Sequence, residues 1–156
     1  MTADTATAFE PADPDFARRT RESFARQGAM ALLGASLGRV EPGRVEIALD
    51  FRAELSQQHG FFHAGVLATI ADSAGGYAAF TLFPADAGVL TVEFKVNLMA
   101  PADGERIVAE GRVLRAGRTI TVAQFDVHAQ KAGRRTHCAT GLQTVMRIDG
   151  RAGVRG

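Results

Sequence analysis

Between Ala64 and Phe83 the chain runs for twenty residues with a single formal charge, Asp72. Read as a helix, such a segment has no face suited to water and must be enclosed. Its length alone would span a bilayer. Asp72 near its centre, the Gly75-Gly76 pair and the lack of basic flanks argue instead for a buried core helix. A lone carboxylate among hydrocarbon is costly unless paired or used. Asp72 is therefore the first candidate for chemistry.

The remaining chain reads as strands able to wrap that helix. Val45, Ile47, Leu49 and Phe51 alternate with Arg44, Glu46, Ala48 and Asp50, the period of a half-buried strand. A shorter strand over 35–40 precedes it across a Pro42-Gly43 turn. After a break at 84–88, four strands are expected at about 89–99, 105–115, 119–130 and 135–148. In the first of these Val92, Phe94, Val96 and Leu98 form the apolar row. The separators 101–104, 116–118 and 132–134 each hold a glycine and have hairpin length. No helix intervenes, so these strands pair antiparallel and need one face covered. Small residues such as Ala71, Ala74, Gly75 and Ala78 let the helix supply that cover at close range.

The expected fold is α+β: a curved antiparallel sheet of about six strands around one long buried helix. A short N-terminal helix, started by Asp13-Pro14-Asp15 and stopped at Gly28, precedes it. Phe16, Thr20, Phe24 and Gln27 share its inner face, and Arg18, Arg19, Arg21 and Arg26 are expected mostly in solvent. Residues 13–148 form one domain between a disordered lead, 1–12, and a flexible tail, 149–156. A length of 156 residues suits that count. The net charge of +1 favours neither a nucleic-acid nor a membrane partner. One cysteine, Cys138, excludes an intrachain disulfide. The N-terminus lacks the basic start and apolar run of a signal peptide, so a cytoplasmic location is expected.

Two strands, a glycine-containing loop with histidine, one helix bearing an acid and four further strands resemble the hotdog fold. More narrowly, roughly residues 30–148 resemble the acyl-CoA thioesterases of the phenylacetate-degradation (PaaI-like) group. That group's signature is an Asn, a Gly, His-Gly-Gly, and an acid on the helix nine residues past the histidine. Here those positions read Gln57, Gly60, His63-Ala64-Gly65 and Asp72. Val92-Glu93-Phe94-Lys95 with Pro101 and Gly104, and Arg115-Ala116-Gly117-Arg118, are also similar. Ala64 and Gln57 depart from the pattern.

The resemblance implies thioester hydrolysis, with coenzyme A thioester as substrate and no further cofactor. It implies that the Gly65 N–H, at the positive end of the helix, stabilises charge developing on the thioester oxygen. Asp72 is then general base or nucleophile; the alternative is a structural acid bonded to Ser73, Thr69 or a strand. Gln57 holds water or the thioester oxygen. His63 bonds the substrate, positions the loop or caps the helix, and Thr91 orients water or is an ordinary strand threonine. Phe61 and Phe62 line an acyl pocket or belong to the core. Arg115, Gly117 and Arg118, with Arg134 and Arg135 on the same rim, meet the carrier's phosphates or are solvated turn residues.

Gly65 and Asp72 lie about 10.5 Å apart along one helix, too far to address one thioester carbon together. A symmetric dimer brings the helix N-terminus of one subunit to the acid of the other. Pairing into a dimer of dimers is expected as well. His59 and His63 fall in a glycine-bearing loop, so no metal is expected. His128 and His137 read as cross-strand partners, and neighbouring His137 and Cys138 point to opposite faces. Two other functions fit the fold: a hydratase or dehydratase of enoyl thioesters, and a non-catalytic acyl-CoA binder.

Overall fold

The computed structural model describes residues 9–154. Two helices, α1 (Phe16–Ala25) and α2 (Gly28–Leu33), precede strands β1 (Ser36–Glu41) and β2 (Arg44–Asp50). The long helix α3 (Ala64–Phe80) follows, then β3 (Gly88–Leu98), β4 (Arg106–Ala116), β5 (Ile120–Lys131) and β6 (Arg134–Ile148). The six strands form one antiparallel sheet in the order β1-β2-β4-β5-β6-β3, curved about α3. Among the described residues no helix is long and apolar enough to cross a membrane.

Close packing of helix on sheet depends on small residues facing each other. A β-carbon on Gly111 of β4 would stand 2.3 Å from the Ala74 carbonyl group. Only glycine at that point lets the strand reach the helix backbone. Around this contact Ile47, Leu49, Ile70, Phe80, Ile107 and Phe125 are fully enclosed.

Several expectations change. The helix stops at Phe80, three residues early, because Thr81 and Arg19 take over its end. Thr81 Oγ1 donates to the Ala78 carbonyl at 2.6 Å and accepts from Gly43 N–H at 2.8 Å. Gly28 does not end structure but opens α2, whose Met30 is 1% exposed and anchors the turn in the core. The 101–104 segment is no hairpin. It carries the chain from edge strand β3 to β4, because β3 pairs with β6 and closes the sheet around α3. Of the lead 1–12, residues 1–8 lie outside the described part, whereas Phe9 packs against Gly43 and the core. In the tail, Val154 sits against Gly88, and 155–156 lie outside the described part.

Arg19, expected in solvent, is 7% exposed. Its guanidinium donates to the carbonyls of Phe83 (2.7 Å), Pro84 (2.8 Å) and Phe80 (3.3 Å), at and just past the end of α3. It lies 4.2 Å from the centre of the Phe80 ring and 3.0 Å from Asp13 Oδ2. A helical pattern cannot mark this arginine, because its carbonyl partners lie more than sixty residues away. Removing it strands a buried carboxylate and several carbonyls. Arg19→Met is expected to cost about 3 kcal/mol of stability, read in a denaturant melt. A loss below about 1 kcal/mol would show that the clamp contributes no more than a surface pair.

Candidate active site

The loop before α3 is built by its own backbone. Gly60 N–H donates to the Gln57 carbonyl at 3.0 Å, and Gln57 N–H to the Phe61 carbonyl at 2.9 Å. Gly60 has φ +81°, a conformation natural to glycine. The Gln57 amide oxygen accepts from His59 N–H, so the longer side chain folds back on its own turn. His63 is the helix N-cap. Its Nδ1 accepts from Gly65 N–H at 2.9 Å. An accepting Nδ1 puts the proton of the neutral ring on Nε2, leaving that N–H as an exposed donor at the positive helix end. The expected Gly65 donor is thus already engaged, and a substrate oxygen reaches it only by displacing the imidazole.

Asp72 lies two turns further along. It is only half-buried, against the expectation of full enclosure. The sheet leaves open a stripe of α3 carrying Gly65, Ala68, Thr69, Asp72 and Ser73, positions that recur every three or four residues. Asp72 Oδ1 accepts from Thr91 Oγ1 and from Gln143 Nε2, both at 2.7 Å. Burial pushes the carboxyl above its ordinary range, and the Thr91 hydrogen bond partly opposes this. Thr91, expected to orient water or to be an ordinary strand threonine, instead holds the acid directly.

Gln57, Phe61 and Phe62 line one cavity, and Asp72 and Thr91 line another. One, of about 430 Å³, is lined by Gln57, Phe61, Phe62, Ala64 and Leu67 with residues 98–102. The other, of about 260 Å³, is lined by Gln27, Asp72, Ser73, Gly76, Tyr77 and 89–91. No cavity among these joins the helix start to Asp72. Phe62 is 3% exposed and packs edge-on against Phe51, so it is as much core as lining. Tyr77, Phe80 and Phe83 are core.

The arginines do not share a rim. Arg115, Gly117 and Arg118 stand at the β4–β5 turn, and Arg134 and Arg135 at the β5–β6 turn. The twelve residues of β5 hold these turns apart, by roughly 35 Å. A third cavity, of about 520 Å³, touches Lys131, Arg134 and Thr136 and shares Phe61, Ala100 and Pro101 with the first. Lys131 pairs with Asp103 at 2.8 Å.

The histidine readings hold. His128 and His137 oppose each other and stack with centroids 4.5 Å apart. His137 Nε2 bonds Asp126 while Cys138 is fully buried, its thiol pushed up by burial. Gln143 was missed. Its signal is present, because in the core-facing row Gly141, Gln143, Val145 the middle position is polar.

Known proteins share this sequence pattern and fold. The sequence pattern of the Thioesterase superfamily matches residues 59–135. A thioesterase family protein from Silicibacter pomeroyi is 48% identical in its crystal structure, covers 86% of this chain and 99% of its own, and superposes with a TM-score of 0.85. This chain belongs to the thioesterase superfamily. Human acyl-coenzyme A thioesterase 13 is 29% identical over 94 residues, 60% of this chain and 66% of that protein. The Escherichia coli PaaI protein shares the fold, with a TM-score of 0.78 at 17% identity over 87% of this chain and 95% of its own. The chain is thus a hotdog-fold thioesterase, a hydrolase of thioesters, and shares its fold with PaaI.

Proposed function

We propose that this thioesterase hydrolyses acyl-CoA thioesters, of aryl-acetyl or medium-chain acyl type, at sites completed by a second copy of the chain. The observation that carries this reading is the separation of the two half-sites. Gly65 at the helix end and the hydrogen-bonded Asp72 lie on one open stripe of α3, two turns apart, and Asp72 lines a cavity that the first turn of the helix does not reach. A two-fold partner resolves the separation, since stripe residue i meets j and j meets i.

Strand β3 supports the same pairing. It is an edge strand of eleven residues. Its apolar row, expected to be buried, is exposed at Val92 (56%), Leu98 (54%) and Phe94 (42%). A long apolar edge left bare invites association. Leu90 and Thr91 on the same strand line the Asp72 cavity, so a partner on this edge closes that cavity.

In the reaction, the helix-end donors draw charge onto the thioester oxygen. Asp72 takes a proton from water, which attacks the carbonyl carbon, or attacks that carbon itself before water releases the acyl group. Either way a C–O bond forms, the C–S bond breaks, and the thiolate leaves and takes up a proton. The carrier fits the joined cavities from Phe61 to Lys131 and Arg134. Arg115 and Arg118, at the other end of β5, do not line these cavities.

A thiol-release assay over acyl-CoAs of varied length and aromaticity tests the reading. Consumption of enoyl-CoA without free thiol would mark a hydratase, and binding without turnover a sensor. Either role for Asp72 requires the charged form, so activity is expected to fall on acidification, with its acid limb above the ordinary carboxylate range. Thr91→Val removes the bond that lowers this titration and should move the limb further up. An acid limb unmoved in that variant would detach Thr91 from the catalytic acid.

A further inference from the structure

We propose that Gln143 of β6 is a positioning residue for the Asp72 carboxylate, fixing one oxygen so that the other is presented to the substrate. The proposal rests on the reading of Asp72 as the acid of the reaction. Gln143 is 1% exposed and sits in an otherwise core-facing row. Its Nε2 lies 2.7 Å from Asp72 Oδ1, 3.0 Å from the Asp72 backbone carbonyl and 3.0 Å from Thr91 Oγ1. One amide therefore ties the carboxylate, the helix backbone beneath it and the neighbouring strand together. Oδ1 receives two hydrogen bonds, and Oδ2 takes none from the described residues.

The arrangement is held at a loss elsewhere. Gln143 Oε1 is buried without a hydrogen-bond partner among the described residues. It occupies the place of a side chain on Gly75, where a β-carbon would stand 1.9 Å away. A glycine inside a helix and an orphaned carbonyl oxygen both weaken a fold. A side chain serving packing alone would be leucine or methionine. A polar choice that costs stability and points at the acid is the mark of a functional constraint.

Donation to the carboxylate favours its charged form and works against burial. Burial and the Thr91 bond are the causes of its shift, with no charged neighbour among them. Tyr77 is the other titratable group lining that cavity. Removing the amide donor should therefore raise the titration of Asp72.

Gln143→Met keeps the volume and removes the donor. We expect kcat to fall tenfold or more with KM little changed. The acid limb of kcat should rise by about one to two pH units. Gln143→Glu keeps the shape but sets a second carboxyl against the first, and should shift the limb further because the pair shares a proton. Gly75→Ala keeps the glutamine at 143 but pushes its amide out of place with a methyl group, and should reproduce the shift. A ¹³C titration of the Asp72 carboxyl follows the same displacement without any turnover. It decides the proposal even where no acyl-CoA is hydrolysed. Variants that melt earlier while Asp72 titrates as in wild type would reduce Gln143 to core packing and overturn the proposal.

Discussion

Asp72→Asn is expected to lower the turnover of thioesters by roughly two to four orders of magnitude while raising thermal stability. Asparagine keeps an oxygen for Thr91 and Gln143, so the local hydrogen bonds survive. What it loses is the charge that activates water or attacks the carbonyl. The stability gain follows from the direction of the Asp72 shift. Its folded titration lies above the ordinary value of 3.8, raised mainly by burial. A group so raised contributes stability below its unfolded value and loses that contribution as pH climbs through its folded value. Above that window the native carboxylate is a liability that asparagine does not carry. Melting curves of both proteins across pH should therefore converge in acid and diverge towards neutrality. Full activity in the asparagine variant would rule out Asp72 as the reacting acid.

The second large effect concerns the edge of β3. Val92→Lys with Leu98→Lys places charge at residues that are 56% and 54% exposed, so the protomer keeps its core. Such a chain is expected to run as a monomer on a sizing column and to lose at least a hundredfold in turnover, because each half-site is left alone. A complementation experiment separates loss of pairing from loss of fold. Asp72→Asn lacks the acid. Gly65→Leu blocks the helix end, where even a β-carbon stands 3.1 Å from His63 Nδ1. Each variant alone should be nearly inactive. Unfolded together and refolded, half of the dimers are mixed and one of their two sites is intact, so about a quarter of wild-type activity should return. No recovery, with mixed dimers present, would place both half-sites within one protomer.

Much of the fold was readable because period and punctuation are local signals. The alternation of Val45, Ile47 and Leu49, the turn at Pro42-Gly43 and the glycines of the β4–β5 and β5–β6 turns each act over a few residues. They predicted element positions to within a residue or two for the last four strands. The site was readable at Asp72 because one charge in twenty apolar residues stands out at any distance. Thr91 came only from resemblance, since an ordinary strand threonine gives no sign of its partner nineteen residues away.

What stayed hidden depends on contacts between distant segments. Arginine on a helix reads as a surface residue, yet Arg19 is buried because three carbonyls at and beyond the end of α3 receive it. The apolar row of β3 reads as core, yet it lies bare because strand order, unlike strand pattern, decides which strand is the edge. The arginines at the two turns read as one cluster, and β5 holds them at opposite ends of the sheet.

The chain's sequence by itself determined the elements, the buried helix and the identity of its acid, because periodicity and isolated charge are properties of short windows. Only the tertiary structure decided that the acid stands half-open, that Thr91 and Gln143 hold it, and which cavity it lines. Those facts arise from which residues the folded sheet brings against one face of α3, and no window of sequence contains both sides of such a contact.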